Sequence, residues 1–455
     1  MHEITRSDAG AENLSTTAKC ISQIIEQAKT YKQKAICFIT GVPGAGKTLA
    51  GLNIANERLK TDENEHAVFL SGNGPLVSVL REALTRNAAV NQNIKKSEAE
   101  RHVKAFVQNI HHFRDEYLKN PSVPTEKVVV FDEAQRAWNQ EQTSSFMQRK
   151  RGLLDFSQSE PHFLINVMDR HQDWCVIVCL IGGGQEINTG EAGLSEWVAA
   201  LKNDYPKWQV YFSEQIIKEA HYLNNPELTD WLIGTGHEKT ALHLATSVRS
   251  FRCEKLSEFV HALLDADIQA AQALYQQIKQ DYPIVLTRDL QTAKQWLKQR
   301  AKGSERFGLI ASSGGRRLKA LGVNVKNEID VNHWFLNTDD DVRSSYYLED
   351  VATEFDVQGL ELDWVCVGWD SNFYYDSTTQ QWNYRAFKGS RWQNVCQASA
   401  QNYLKNAYRV LLTRARQGMV IWLPEGSDDD PTRAKCFYDD TYQFLVEAGL
   451  RELKH

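Results

Sequence analysis

The chain has 455 residues, 42% hydrophobic and 24% charged, with 26 Gly and 10 Pro. That balance fits two or three folded domains and excludes a disulfide miniprotein, a collagen-like chain and a disordered one. Lys plus Arg number 52 against 58 Asp plus Glu, a net charge of -6, so a protein coating nucleic acid by bulk positive charge is excluded and only a local basic groove remains open.

In chain order, short apolar runs rich in β-branched and aromatic residues predict buried strands over residues 35–40, 67–71, 127–131, 174–181 and 209–212. Between them, helical spacing predicts helices over residues 14–28, 47–59, 76–84 and 98–110. The alternation argues for a parallel α/β sheet. It restarts after about residue 250, with strands expected over residues 284–287, 307–312, 364–369 and 419–423 and a helix over 291–301. Two α/β lobes are expected, residues 1–245 and 246–455, the periodicity breaking near Gly234-Thr235-Gly236. No apolar run reaches the roughly 18 residues that span a bilayer. The start Met1-His2-Glu3-Ile4 has no basic region followed by an apolar stretch. No membrane partner and a cytoplasmic location are expected. The eight cysteines include no CxxC pair and mostly sit in apolar segments, the pattern of buried thiols rather than a zinc site.

Gly41-Val42-Pro43-Gly44-Ala45-Gly46-Lys47-Thr48 satisfies GxxxxGK[ST] between a predicted strand and a predicted helix. In such a P-loop the backbone N–H groups cradle phosphates at a helix N-terminus, Lys47 reaches the terminal phosphates and the Thr48 hydroxyl holds Mg²⁺. A second strand ends Val129-Val130-Phe131-Asp132-Glu133. Asp132 is the expected Mg²⁺ partner, and Glu133 is placed to orient or deprotonate the attacking water. ATP and Mg²⁺ are therefore the expected cofactors, and hydrolysis the expected chemistry. A small-molecule kinase would share the P-loop but leaves the motifs that follow unexplained.

Those motifs resemble superfamily 1 helicases. Asp132-Glu133-Ala134-Gln135 resembles motif II; Leu180 to Ile187 resembles motif III, which implies a γ-phosphate sensor at Gln185. Ser247-Val248-Arg249-Ser250 resembles motif IV, Gln358-Gly359-Leu360-Glu361 motif V and Leu412-Thr413-Arg414-Ala415-Arg416 motif VI. The resemblance assigns Arg249 to the γ-phosphate, Arg414 as an arginine finger, and Gln358 and Glu361 to nucleotide and strand contacts. More narrowly, the Gly183 to Gly193 run and Ser312-Ser313-Gly314-Gly315-Arg316-Arg317-Leu318 are similar to the Schlafen-type DNA/RNA helicase domain family. Members often carry a further domain ahead of the ATPase, which implies that such a domain would have ended before this chain's start. The resemblance implies two RecA-like P-loop lobes and a nucleic-acid-dependent ATPase, helicase or translocase acting on single strands. It leaves open an ATP-operated switch for a nuclease or other antiviral defence partner. No Gln stands near Asn13 to Thr17 where these helicases read adenine, and the wedge insertions of processive members are absent or small.

Two stretches bear on nucleic acid. Arg316 and Arg317, with backbone N–H groups after a strand, are expected to grip a phosphate. Trp382 and Arg391 lie in an aromatic and basic run between Trp369 and Trp392, which either stacks unpaired bases or packs as a hairpin on its own lobe.

Overall fold

Strands buried on both faces need apolar side chains at every position. In the strand Glu126–Asp132, Val128 and Val130 enter one core and Val129 and Phe131 the core on the opposite face. The computed structural model describes residues 2–42, 45–61, 66–151, 156–182, 193–219, 222–245 and 251–453, in two compact units, Met1–Ser250 and Phe251–His455.

The first unit carries β1 (Lys34–Gly41), β2 (His66–Ser71), β3 (Val107–Asn109), β4 (Glu126–Asp132), β5 (Cys175–Leu180), β6 (Gln209–Phe212), β7 (His237–Glu238) and β8 (His243–Leu244). They form a parallel sheet in the order β3-β2-β4-β5-β1-β6-β7, with β8 paired to β1. One face is covered by helices His2–Tyr31 and Lys47–Thr61, through Ile21, Ile24, Ile25, Ala50 and Ile54. The other is covered by helices Ile110–Lys119, Glu160–Asp169 and Gly193–Asn203, through Phe113, Leu164, Val167, Trp197 and Leu201.

The helix expected over residues 98–110 stops at Phe106, and Val107–Asn109 joins the sheet edge as β3. Buried Val107 pairs with Phe69, and Asn109 caps the next helix by accepting the His111 N–H (2.9 Å). An edge-pairing partner and a side-chain cap together outweigh helical periodicity there.

The second unit carries β9 (Ile284–Thr287), β10 (Phe307–Ala311), β11 (Val351–Ala352), β12 (Leu362–Gly368), β13 (Phe373–Asp376), β14 (Gln381–Lys388), β15 (Arg391–Asn394), β16 (Ala415–Trp422) and β17 (Arg451–Glu452). A parallel sheet runs β11-β10-β12-β16-β9-β17, and β13-β14-β15 form a separate antiparallel sheet.

Candidate functional site: the P-loop edge

All strands of the first sheet run in one direction, so their C-terminal ends share one edge, where parallel α/β sheets hold ligands. Register makes this specific. Ser71 at the end of β2 lies opposite Asp132 at the end of β4, and Ile181, just past β5, donates its N–H to the Ile39 carbonyl of β1 (2.8 Å). The P-loop follows β1 at this edge. Gly46 takes φ 81°, a left-handed conformation that favours glycine. Gly41 lies so close to β8 that a Cβ there would be 2.8 Å from the Leu244 Cβ. Pro43 and Gly44 lie outside the described residues.

Lys47 opens its helix with Nζ donating to the carbonyls of Gly41 (2.8 Å) and Val42 (3.3 Å). The Thr48 hydroxyl donates to Asp132 Oδ2 at 3.0 Å. Asp132 is 2% exposed. Burial first, and then the neighbouring Glu133 charge, push its carboxyl up to about 7, against the pull of Thr48 and Lys47. A hydroxyl and a buried carboxylate short of positive charge form a hard-oxygen pair that suits Mg²⁺. Among the described residues no cluster of three or more His, Cys, Asp or Glu could hold a metal.

Glu133 adopts φ 54°, ψ 46°, the left-handed region that costs a non-glycine residue energy and needs support. The supports are visible. Gln135 Nε2 donates to Glu133 Oε2 (2.5 Å), while Gln135 Oε1 accepts the Gly182 N–H (3.0 Å). A Cβ at Gly182 would sit 3.0 Å from Glu133 Oε2 and 3.1 Å from Gln135 Nε2. One residue on, the Ala134 carbonyl accepts the indole N–H of buried Trp197 (2.9 Å). Motif II and the turn after β5 are thus one hydrogen-bonded unit. Gln185 and Arg249, the expected γ-phosphate contacts, lie outside the described residues.

In the second unit the expected residues fall at two opposite sheet edges. Gln358 and Glu361 precede β12, and Arg414 precedes β16. The Leu362 N–H donates to the Arg414 carbonyl (3.2 Å), and Arg416 Nε donates to Glu361 (3.1 Å). Arg414 is 6% exposed, with Nε donating to the Val410 carbonyl (3.1 Å).

Arg316 and Arg317 follow β10 at the other edge. Their loop does not offer its N–H groups to a phosphate, as the sequence suggested. Glu354 accepts the Ser313 N–H and hydroxyl (both 2.7 Å), Asp370 accepts the Arg317 N–H (2.9 Å), and Ser312 accepts the N–H groups of Gly314 and Gly315. Carboxylates buried at the strand ends satisfy those donors first. Arg317 pairs with Asp430 (2.8 Å), and exposed Arg316 reaches the Phe387 carbonyl (3.0 Å).

Trp382 is interior. It stacks on Phe373 (centroids 4.4 Å, 15°) and meets Phe444 edge-on (5.1 Å). Of the two alternatives for the aromatic run, packing on its own unit holds for Trp382, because its ring faces are taken. Arg391 is exposed at the start of β15.

Several features of the site carried no local signal in the sequence. The two-residue β8 pairs with Thr40 and Gly41, and Thr40 Oγ1 lies 2.6 Å from Ser213 Oγ and 2.9 Å from His243 Nδ1. The Arg416–Glu361 pair likewise joins residues 55 apart.

Two parallel α/β units, the first with a phosphate-loop sequence after β1 and an acidic pair at the end of β4, one strand away on the same sheet edge, define a RecA-like helicase fold. The model of the Schlafen group 3 DNA/RNA helicase domain matches residues 34–425, and the chain belongs to that family. Among solved structures, the Pyrococcus furiosus Hef helicase domain is similar at 13% identity with a TM-score of 0.29, covering 89% of this chain and 96% of that one. No curated protein matches the chain.

Proposed function

We propose that the chain is a nucleic-acid-stimulated ATPase, a helicase or translocase of superfamily 1 type. The observation that carries this reading is the 3.0 Å contact between the P-loop Thr48 and Asp132, with Glu133 held beside it in a strained, supported conformation. Lys47 releases the Gly41 and Val42 carbonyls and turns to the β- and γ-phosphates, a motion its flexible stem permits. Thr48 and Asp132 would hold Mg²⁺, which would supply charge neutralisation at the phosphates. Glu133 orients the attacking water and accepts its proton; the Gln135 amide aims the carboxylate. Gln185 senses the γ-phosphate, and Arg249 and Arg414 neutralise the charge that spreads over its oxygens, a role worth about 10³ to 10⁵ in rate for an arginine finger. Glu361 contacts the nucleotide, and Gln358, Arg316 and Arg391 contact the single strand.

The test is steady-state ATP hydrolysis by wild type, Lys47→Ala and Arg414→Ala, with and without single-stranded DNA and RNA at low salt. Stimulation by either polymer, abolished in both variants, is the expected result. Turnover indifferent to both polymers overturns the nucleic-acid assignment and favours a nucleotide switch for a protein partner. Full turnover by Lys47→Ala overturns the site.

A further inference from the structure

Behind the motif II loop lies a buried ion pair that the chemistry above does not use. Arg114, on helix Ile110–Lys119, and Glu160, the first residue of helix Glu160–Asp169, meet at 3.2 Å with side chains 1% and 3% exposed. Taking both charges out of water costs more than an apolar pair of the same shape would, so the pair is a poor source of stability. What it supplies is direction. Glu160 Oε2 accepts the Trp138 N–H (3.1 Å), and the Glu160 N–H donates to the Trp138 carbonyl (2.9 Å). Trp138 is therefore gripped at both of its backbone groups. The Arg114 guanidinium lies 5.3 Å from the Trp138 ring centre and 4.9 Å from that of Phe146, and His111 packs on Trp138 at 4.7 Å.

Trp138 closes the loop that Glu133 opens. Ala134 is anchored to Trp197 and Gln135 to Gly182, so Glu160 is the third anchor of a six-residue turn and the one at its far end. A residue in the left-handed region relaxes unless its surroundings over-determine it. The Trp197 and Gly182 contacts act on the first half of the turn; at its exit the Thr143 hydroxyl donates to the Trp138 carbonyl at a long 3.4 Å, and Glu160 is what accepts the Trp138 N–H.

We propose that Arg114 and Glu160 are positioning residues that hold the exit of the motif II turn and thereby keep Glu133 aimed. Arg114 orients the Glu160 carboxylate, and the carboxylate fixes the Trp138 backbone. Neither residue touches nucleotide. The inference rests on the ATPase reading for its kinetic readout.

Two charge-free pairs test it. Arg114→Met with Glu160→Gln leaves an amide oxygen for the Trp138 N–H; the loss of Arg114 beside Asp115 (3.9 Å) is common to both pairs and cancels between them. Arg114→Met with Glu160→Met removes the acceptor as well. The expected result is near wild-type kcat for the Gln pair and a kcat lower by about 10- to 100-fold for the Met pair, the scale of a slightly misplaced catalytic group. Affinity for a fluorescent ATP analogue stays alike in the two, while the Met pair melts lower because its Trp138 N–H has lost its acceptor. Equal kcat in both pairs overturns the proposal. Should either pair fail to fold, hydrogen exchange on the wild type decides: slow exchange of the Trp138 amide is expected, and exchange as fast as an exposed loop amide overturns the proposal. Wild type that hydrolyses no ATP with any polymer refutes the ATPase reading alone, and the same exchange measurement then tests the anchor.

Discussion

Replacing Asp132 with Asn separates a functional carboxylate from a structural one. In the folded protein the Asp132 carboxyl is pushed from 3.8 to about 7, chiefly by burial. Because the folded state holds its proton more tightly than the unfolded chain does, stability is greatest below pH 4 for this group and falls as pH rises through the window from about 4 to about 7. At about 1.4 kcal/mol per pH unit, that shift sets an upper bound of about 4 kcal/mol on the stability lost by pH 8. Asparagine keeps the shape and an oxygen for the Thr48 hydroxyl but carries no charge to desolvate. Without metal, Asp132→Asn is expected to be more stable than wild type already at pH 5, and its advantage to grow by about 1 to 3 kcal/mol between pH 5 and pH 8. Chemical unfolding in EDTA at both pH values, followed by tryptophan fluorescence, measures this, and taking the variant-minus-wild-type difference cancels the titrating groups that Asp132 does not interact with. Adding Mg²⁺ with a non-hydrolysable ATP analogue should reverse the order, since wild type alone gains the metal ligand. A variant less stable than wild type at pH 8 in EDTA, or a difference that does not move between pH 5 and pH 8, refutes the argument that Asp132 is a buried charge awaiting a cation.

Two further outcomes are expected from packing. Gly51, on the helix after the P-loop, has no room for a methyl group: a Cβ would lie 2.6 Å from Leu180 Cδ1 and 2.9 Å from Val130 Cγ1. Gly51→Ala gains about 1 kcal/mol of helix propensity but incurs about 1 to 3 kcal/mol of overpacking, so a lower urea midpoint is expected and a raised one refutes the close approach. Trp382→Ala should destabilise the second unit by about 3 to 5 kcal/mol. Its single-strand affinity, measured by fluorescence anisotropy where the variant is folded, should change less than about twofold; a tenfold loss with unchanged stability would return Trp382 to base stacking.

The segments of the candidate site were readable as sequence patterns because they are local. A P-loop needs its glycines, lysine and threonine within one turn, and the Asp132-Glu133 pair needs only the apolar strand before it. The long central strands of both parallel sheets were equally readable, since burial on two faces writes an unbroken apolar run such as Val128 to Phe131 or Cys175 to Ile181, whereas the short edge strands β3, β7, β8, β11 and β17 were not. The nucleic-acid residues were harder: an aromatic run beside cations reads the same whether its rings face solvent or, like Trp382, one another.

By itself, then, the sequence determined the two α/β units, the phosphate loop and the acidic strand end, because each depends on spacing along a few neighbouring residues. Only the tertiary structure decided that β8 straps the base of the P-loop, that Glu354 and Asp370 occupy the donors of the Ser312–Arg317 loop, and that Arg114 and Glu160 grip Trp138. These contacts join residues from 22 to 203 positions apart. No local periodicity encodes such a pairing; it exists only once the sheet has brought the strand ends to one edge and buried polar groups must find partners there.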